Sequence, residues 1–362
     1  MPSDRVRGVA RAARAAALLA PLAVGVGCGK SPRVTVYVSA DQEEVARPVF
    51  ERFERETGIR VDAKFDSEAT KTTALANALR AERSRPRADV FWSNEQAANV
   101  ALGAEGVTAP LAPGSAYAAL AEAVASWPAQ WRDPAGRWFA FAGRARVIVH
   151  HPGRVPSPPT SWQALGDPAW KGRIAMADPR FGTTRSHFGA MKAAWDASAP
   201  GSFDDFVARL VANDPTVLTS GNAGVVDAVA RGEADLGMTD TDDVLAAQAR
   251  GLQVAMVMPR HLDDPSAAGG GTYVIPNTVA IVSGAPHPEE ARRFVAFMLD
   301  AATERQLATL AARHVPLVHP AGAGDLSVAD ALRVDPAAVA ANADAAVDRF
   351  FAARRAAGQG SR

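Results

Sequence analysis

The feature that most constrains this chain is a rhythm. Short apolar runs rich in β-branched and aromatic residues alternate with stretches whose apolar residues fall on one helical face. VTVYVS (34–39) reads as a buried strand. From Asp41 to Thr57, Val45, Val49, Phe50 and Phe53 share a helical face, and Gly58 stands where a helix would end. IRVDAKF (59–65) reads as a second strand, TKTTALANALRAERS (70–84) as a second helix and ADVFWS (88–93) as a third strand. Such alternation predicts parallel strands joined by crossover helices.

A Pro- and Gly-bearing middle, 107–138, interrupts the rhythm, and FAFAGRARVIVHH (139–151) predicts one long extended segment. The alternation then resumes through GRIAMADP (172–179), helices from Thr183 to Trp195 and Phe203 to Ala212, TVLTS (216–220), a helix from Val225 to Gly232, and ADLGMTD (234–240). LQVAMVMP (252–259) and TYVIPNTVAIVSG (272–284) read as strands, 288–312 as two consecutive helices, and DAAVDRFFAARRAA (344–357) as a last helix. The expected fold class is α/β in two lobes, each a mixed, mainly parallel sheet flanked by helices. The first lobe comprises 34–143 with 260–311 and the second 144–259 with 312–355, with a disordered tail over 356–362.

The first 27 residues are set apart. Arg5, Arg7, Arg11 and Arg14 precede AAALLAPLAVGVG, the order of an export signal, and the run is too short for a permanent membrane helix. Cys28, the only cysteine in the chain, follows directly. Its setting resembles a lipobox, which predicts an envelope protein anchored through an acylated Cys28; the alternative is an ordinary signal peptide cleaved near this point with an incidental cysteine. Lys+Arg (39) equals Asp+Glu (39), so bulk charge points neither to nucleic acid nor to anionic membranes.

In α/β sheets ligands gather beyond the carboxyl ends of strands, where loops and helix N-termini converge. Four such ends carry polar residues. Asp41, Gln42 and Glu43 follow the first strand, and Glu95 follows FWSN after the third. Thr183, Thr184 and Ser186 open a helix after Gly182, a seat for an anion. Asp240, Thr241, Asp242 and Asp243 end LGMTDTDD. Carboxylates converging on one cleft repel one another unless a cation lies between them, and oxygen ligands suit hard ions. Catalysis is not expected: the seven histidines show no metalloprotease spacing, and no serine lies in a Gly-x-Ser-x-Gly elbow.

Several segments together carry a family resemblance: VTVYVSADQEEVARPVFERFERETGIRV, RADVFWSNEQAANVALGAEGVTAPL, WFAFAGRARVIVHHP, PAWKGRIAMADPRFGTTRSH, ARGEADLGMTDTDD and HPEEARRFVAFML. Over about 34–320 the chain resembles the ferric-ion-binding branch of the type II periplasmic solute-binding proteins of ABC transporters. The resemblance implies a monomeric receptor that closes on its ligand and delivers it to a membrane permease. It implies a metal held by Glu95 and by the residues at Asp41 or Gln42, with Asp240 and Thr241 in the place of a tyrosine pair; Asp242 beside them is a further candidate ligand. A carbonate or phosphate would sit on Thr183, Thr184 and Arg185, with Arg144 or Arg146 lining the cleft. The chain has three tyrosines and no such pair. An alternative cargo is a small organic cation or a phosphorylated metabolite, stacked on Trp92, Trp138 or Phe181.

Overall fold

The computed structural model describes residues 31–39, 43–66, 73–111, 118–264, 266–310, 313–319, 322 and 326–359. Cys28, Asp41 and Gln42 lie outside them, as does the expected export signal. The elements in chain order are β1 (Arg33–Val38), α1 (Glu43–Thr57), β2 (Arg60–Phe65), α2 (Thr73–Ala81), β3 (Val90–Ser93), α3 (Gln96–Ala104), α4 (Ala118–Ser126) and β4 (Phe139–His150). Then come β5 (Ile174–Ala177), α5 (Gly182–Ser198), α6 (Ser202–Ala212), β6 (Thr216–Leu218), α7 (Gly221–Arg231), β7 (Leu236–Asp240), α8 (Thr241–Ala249) and β8 (Ala255–Val257). The chain closes with β9 (Val274–Ile281), α9 (Pro288–Met298), α10 (Ala301–Thr309) and α11 (Pro336–Gln359).

The expected rhythm is present, and the strands form a mixed sheet in the order β2-β1-β3-β9-β4-β7-β5-β6, with β8 on β4. β2, β1 and β3 are parallel, as are β7, β5 and β6. The two long central strands run antiparallel to their neighbours. β4 is shared between the two halves. Its residues from Phe139 to Ala145 pair with β9, and those from Arg146 to His150 pair with β7. Every residue of β4 is buried, which explains its apolar and small character apart from Arg144, Arg146 and the terminal His150. Gly143 lies at the crossing: a Cβ there would stand 2.8 Å from Val274 Cγ1, so only glycine lets the strands approach this closely.

Each half has its own core. Phe50, Phe53, Trp92, Phe141 and Phe294 fill the first, with Trp92 meeting Phe50 and Phe141 edge-on at 5.9 and 5.0 Å. Trp162, Phe188, Trp195, Phe203, Phe206 and Phe350 fill the second. Burying an aromatic of this size contributes about 1.5–3 kcal/mol. The helical face read from Val45, Val49, Phe50 and Phe53 is the buried face of α1. α11 runs through Gln359, so the expected tail from 356 is helical to that point. Its Ala- and Arg-rich composition favours helix continuation. Among the described residues no helix is long and apolar enough to cross a membrane.

Candidate functional site

The site begins with a register. In the antiparallel pair of β4 and β7, Arg146 stands directly opposite Asp240, the last residue of β7. Alternation along β4 turns Arg144 and Arg146 to the same face. Arg146 is fully buried, and Asp240 is 2% exposed. Arg146 Nη1 donates to Asp240 Oδ1 at 2.7 Å, and Arg144 Nε donates to Oδ2 at 3.3 Å. Thr183 Oγ1 and Asn222 Nδ2 also donate to Oδ2, at 2.8 and 2.9 Å. Burial alone would raise the Asp240 pKa. The two guanidinium groups and the Thr183 hydroxyl outweigh it, so the carboxyl is held below its usual range.

Behind Arg146 lies a buried chain of imidazoles. Arg146 Nε donates to His187 Nδ1 at 3.3 Å, and the Nε2 atoms of His187 and His261 lie 2.8 Å apart. His261 Nδ1 is 2.9 Å from the Gly271 carbonyl. Each bond sets the next: His187 accepts at Nδ1 and so carries its proton on Nε2, which it donates to His261, and His261 donates from Nδ1 to Gly271. Burial keeps both rings neutral, with the nearby Arg146 charge acting the same way, and His261 is pushed down to about 3. Trp162 packs edge-on against His187 at 4.5 Å, and Tyr273 stacks on its other side at 5.8 Å.

The first half contributes Glu95, at the N-cap position of α3 in extended conformation. Its Oε2 accepts from Ser186 Oγ at 2.7 Å, a bond between α3's start and α5 that spans the two halves of the sheet. Burial raises the Glu95 pKa, offset in part by Ser186, Arg144 and Arg185. Arg144 is the hub: besides Asp240 it donates through Nη1 to the Asn94 carbonyl at 2.6 Å and to Asn277 Oδ1 at 3.4 Å. One buried cation thus ties the ends of β3 and β7 to β9.

Asp242 and Asp243 complete the constellation in the first turn of α8. Ligand oxygens of Asp240, Asp242 and Asp243 lie within 4.8 Å of one another, close enough to share a metal ion. Asp242 Oδ1 is buried and has no hydrogen-bond partner among the described residues. Burial, together with the Asp240 charge and against the pull of Arg144, pushes the Asp242 carboxyl up to about 6. Asp243 is raised as well, by burial and by both neighbouring aspartates. Groups that resist losing their protons this way are relieved by a cation between them.

A family model described as bacterial extracellular solute-binding protein matches residues 34–308. The chain belongs to the bacterial extracellular solute-binding proteins. Iron uptake protein A1 of Synechocystis sp. is 26% identical to it over 300 residues, 78% of each chain. The major ferric iron-binding protein of Neisseria meningitidis serogroup B is 26% identical over 287 residues, 78% of this chain and 80% of that one. The crystal structure of iron-bound HitA from Pseudomonas aeruginosa superposes with a TM-score of 0.72 at 22% identity, covering 88% of this chain and 99% of that one. The type II periplasmic binding fold with two lobes follows from these superpositions.

In this solute-binding protein the residues singled out by sequence take different places. Arg144 bonds Asp240 and the carbonyl of Asn94, the residue before Glu95, while Ser186 of α5 bonds Glu95 itself. Asp240, expected as a metal ligand, accepts from four donors: Arg144, Arg146, Thr183 and Asn222. Thr241 is buried, and its Oγ1 accepts the Ala145 N–H at 3.1 Å, which fastens α8 to β4. Thr183, Arg144 and Arg146, expected to hold a free anion, all hold the Asp240 carboxylate. Thr184 is buried in α5. Arg185 points away to Asp344 of α11. Trp92 and Trp138 are core residues and cannot cage a ligand, whereas Phe181 is 59% exposed. Sequence reasoning did not single out Asn222, His187 as a site residue, His261 or Asn277. For Asn222 a signal was available, an amide in the first turn of a helix next to a strand end. The two histidines lie 74 residues apart and carry no spacing to read.

Proposed function

We propose that this protein is the extracytoplasmic solute-binding component of an ABC transporter, capturing a hard cation, ferric iron foremost, between its lobes for import. The observation that carries the reading is the meeting of Asp240, Asp242 and Asp243 within 4.8 Å, with Asp242 Oδ1 buried and unpartnered. Glu95 on the opposite half bonds to Ser186, so closing the lobes assembles the oxygen set from both sides. The names of the relatives, an iron uptake protein and a ferric iron-binding protein, support ferric iron over an organic cation or a phosphorylated metabolite. The burial of Trp92 and Trp138 supports the same choice. Asp242 and Asp243 act as ligands, Glu95 as a ligand from the first lobe, and Arg144 as the link that senses both.

The lobe boundaries fall at 143/144 within the shared strand and near 259/260 and 311/312. The protein is exported by its N-terminal signal, anchored through an acylated Cys28 and monomeric, and it hands its cargo to a membrane permease. The test is Fe(III) loading followed by gel filtration, counting iron per chain. Wild type should retain close to one iron per chain, and Asp242→Ala with Asp243→Ala should retain none while unfolding at a similar temperature. Retention of a sugar phosphate or an amine but no iron would overturn the reading.

A further inference from the structure

Two buried arginines, a helix-start hydroxyl and an amide converging on one point form an oxyanion seat, and here the seat is filled by a carboxylate of the chain itself. Asp240 places Oδ1 on Arg146 Nη1 and Oδ2 on Thr183 Oγ1, Asn222 Nδ2 and Arg144 Nε. These are the donors that two oxygens of a carbonate or a phosphate would meet. Thr183 lies in the first turn of α5, whose N-cap residue Phe181 supplies no side-chain cap. One donor is left over: Arg146 Nη2 is buried and has no partner among the described residues. A planar carboxylate has two oxygens and leaves that donor unused, whereas a phosphate has oxygens to spare.

Resting on the cation-capture reading above, we infer that Asp240 is this protein's built-in counter-anion, so that it loads its cation without carbonate or phosphate. The inference has two physical grounds. A free oxyanion entering the seat would meet an ionised carboxylate at contact distance in a low-dielectric setting, which repels it strongly. A tethered anion also has an effective concentration that no dissolved one matches. Division of labour among the aspartates follows. Asp240 offsets one of the two positive charges on Arg144 and Arg146, which lowers the repulsion met by a cation that faces Asp242 and Asp243. The His187–His261 pair holds Arg146 from behind and keeps the seat in place.

The experiment compares the full chain with Asp240→Ala, and uses Asp240→Asn as a second variant should the first fail to fold. Fe(III) loading is measured after gel filtration in degassed, phosphate-free buffer and in the same buffer with bicarbonate or with inorganic phosphate. Thermal unfolding of the metal-free proteins is followed with and without phosphate. Wild type is expected to load equally in all buffers, within about twofold, and its unfolding temperature should not respond to phosphate. Asp240→Ala should load at least about tenfold more weakly in anion-free buffer, recover with phosphate, and unfold at a higher temperature when phosphate is present. Wild-type loading that requires bicarbonate or phosphate would overturn the inference and leave the cation reading standing. So would phosphate-induced stabilisation of metal-free wild type. If wild type retained no Fe(III) in any buffer, the cation reading would fall, while stabilisation by phosphate confined to the Asp240 variant would still uphold the internal anion.

Discussion

Glu95 and Asp240 make a controlled comparison. Each is a carboxylate at the N-cap position of a helix that follows a strand, each is in extended backbone conformation, and neither caps its helix through its side chain. Yet Glu95 is pushed up in pKa and its carboxylate receives one side-chain bond among the described residues, from Ser186, while Asp240 is held down by two arginines and two neutral donors. The local sequence pattern is the same, so the difference comes from what lies across the sheet. Asp240 faces Arg146 in register on β4. Glu95 sits on the shorter β3 side, where Arg144 reaches the neighbouring Asn94 carbonyl instead of its carboxylate. One end is an electrostatically closed anchor and the other a latch that meets the opposite half.

The sharpest way to break this contrast is Arg146→Ala. Removing this partner from the buried ion pair leaves Asp240 with Arg144 as its one remaining cation among the described residues and should cost about 3–5 kcal/mol in urea unfolding. A loss no larger than that of an exposed pair would mean that Asp240 is not anchored as its geometry indicates.

Titration separates the carboxylates next. Asp240, lowered when folded, contributes stability that is present above the unfolded aspartate value of about 3.9 and lost as pH falls through its lower folded value. Asp242, raised to about 6, does the opposite: its contribution is present below the unfolded value and lost as pH rises through about 6. The metal-free chain should therefore lose stability between about pH 4 and 6 by roughly 1.4 kcal/mol per unit of effective shift. Asp242→Asn should flatten that slope, and an unchanged slope would reassign it to another group. Cation binding, which needs the ionised form, should strengthen over the same rise in pH.

Smaller effects come from the supports. His261→Leu strands the His187 Nε2 proton in a buried place and should cost about 1–3 kcal/mol, with the thermal transition lowered and the Asp240 titration displaced upward. Ser186→Ala removes the Ser186 bond to the Glu95 carboxylate and should weaken cation retention by about 1 kcal/mol while leaving unfolding of the metal-free protein nearly unchanged. An equal loss in both measurements would make Ser186 a structural residue and not part of a latch.

Much of the architecture was legible in the chain. VTVYVS, ADVFWS, GRIAMADP and ADLGMTD each contain a strand, and the intervening helical faces are the buried ones, because hydrophobic period reports directly on which face meets a core. The strand ends were legible as well, including Glu95 and the LGMTDTDD cluster. The central antiparallel arrangement was not, since a run such as FAFAGRARVIVHH is extended in either direction and nothing local names its partner. Roles were less legible than places. Thr183 and Arg146 were identified as anion holders without any indication that the anion is Asp240.

The amino-acid sequence by itself determined the elements, their order, the two cores and the positions at which polar groups would emerge from the sheet, because dihedral preference and apolar spacing act over a few residues. Only the tertiary structure decided which of those polar groups are spent on each other. The partners of Asp240 come from positions 144, 146, 183 and 222, and their effect on its charge depends on distances and burial that exist only after β4 and β7 have paired.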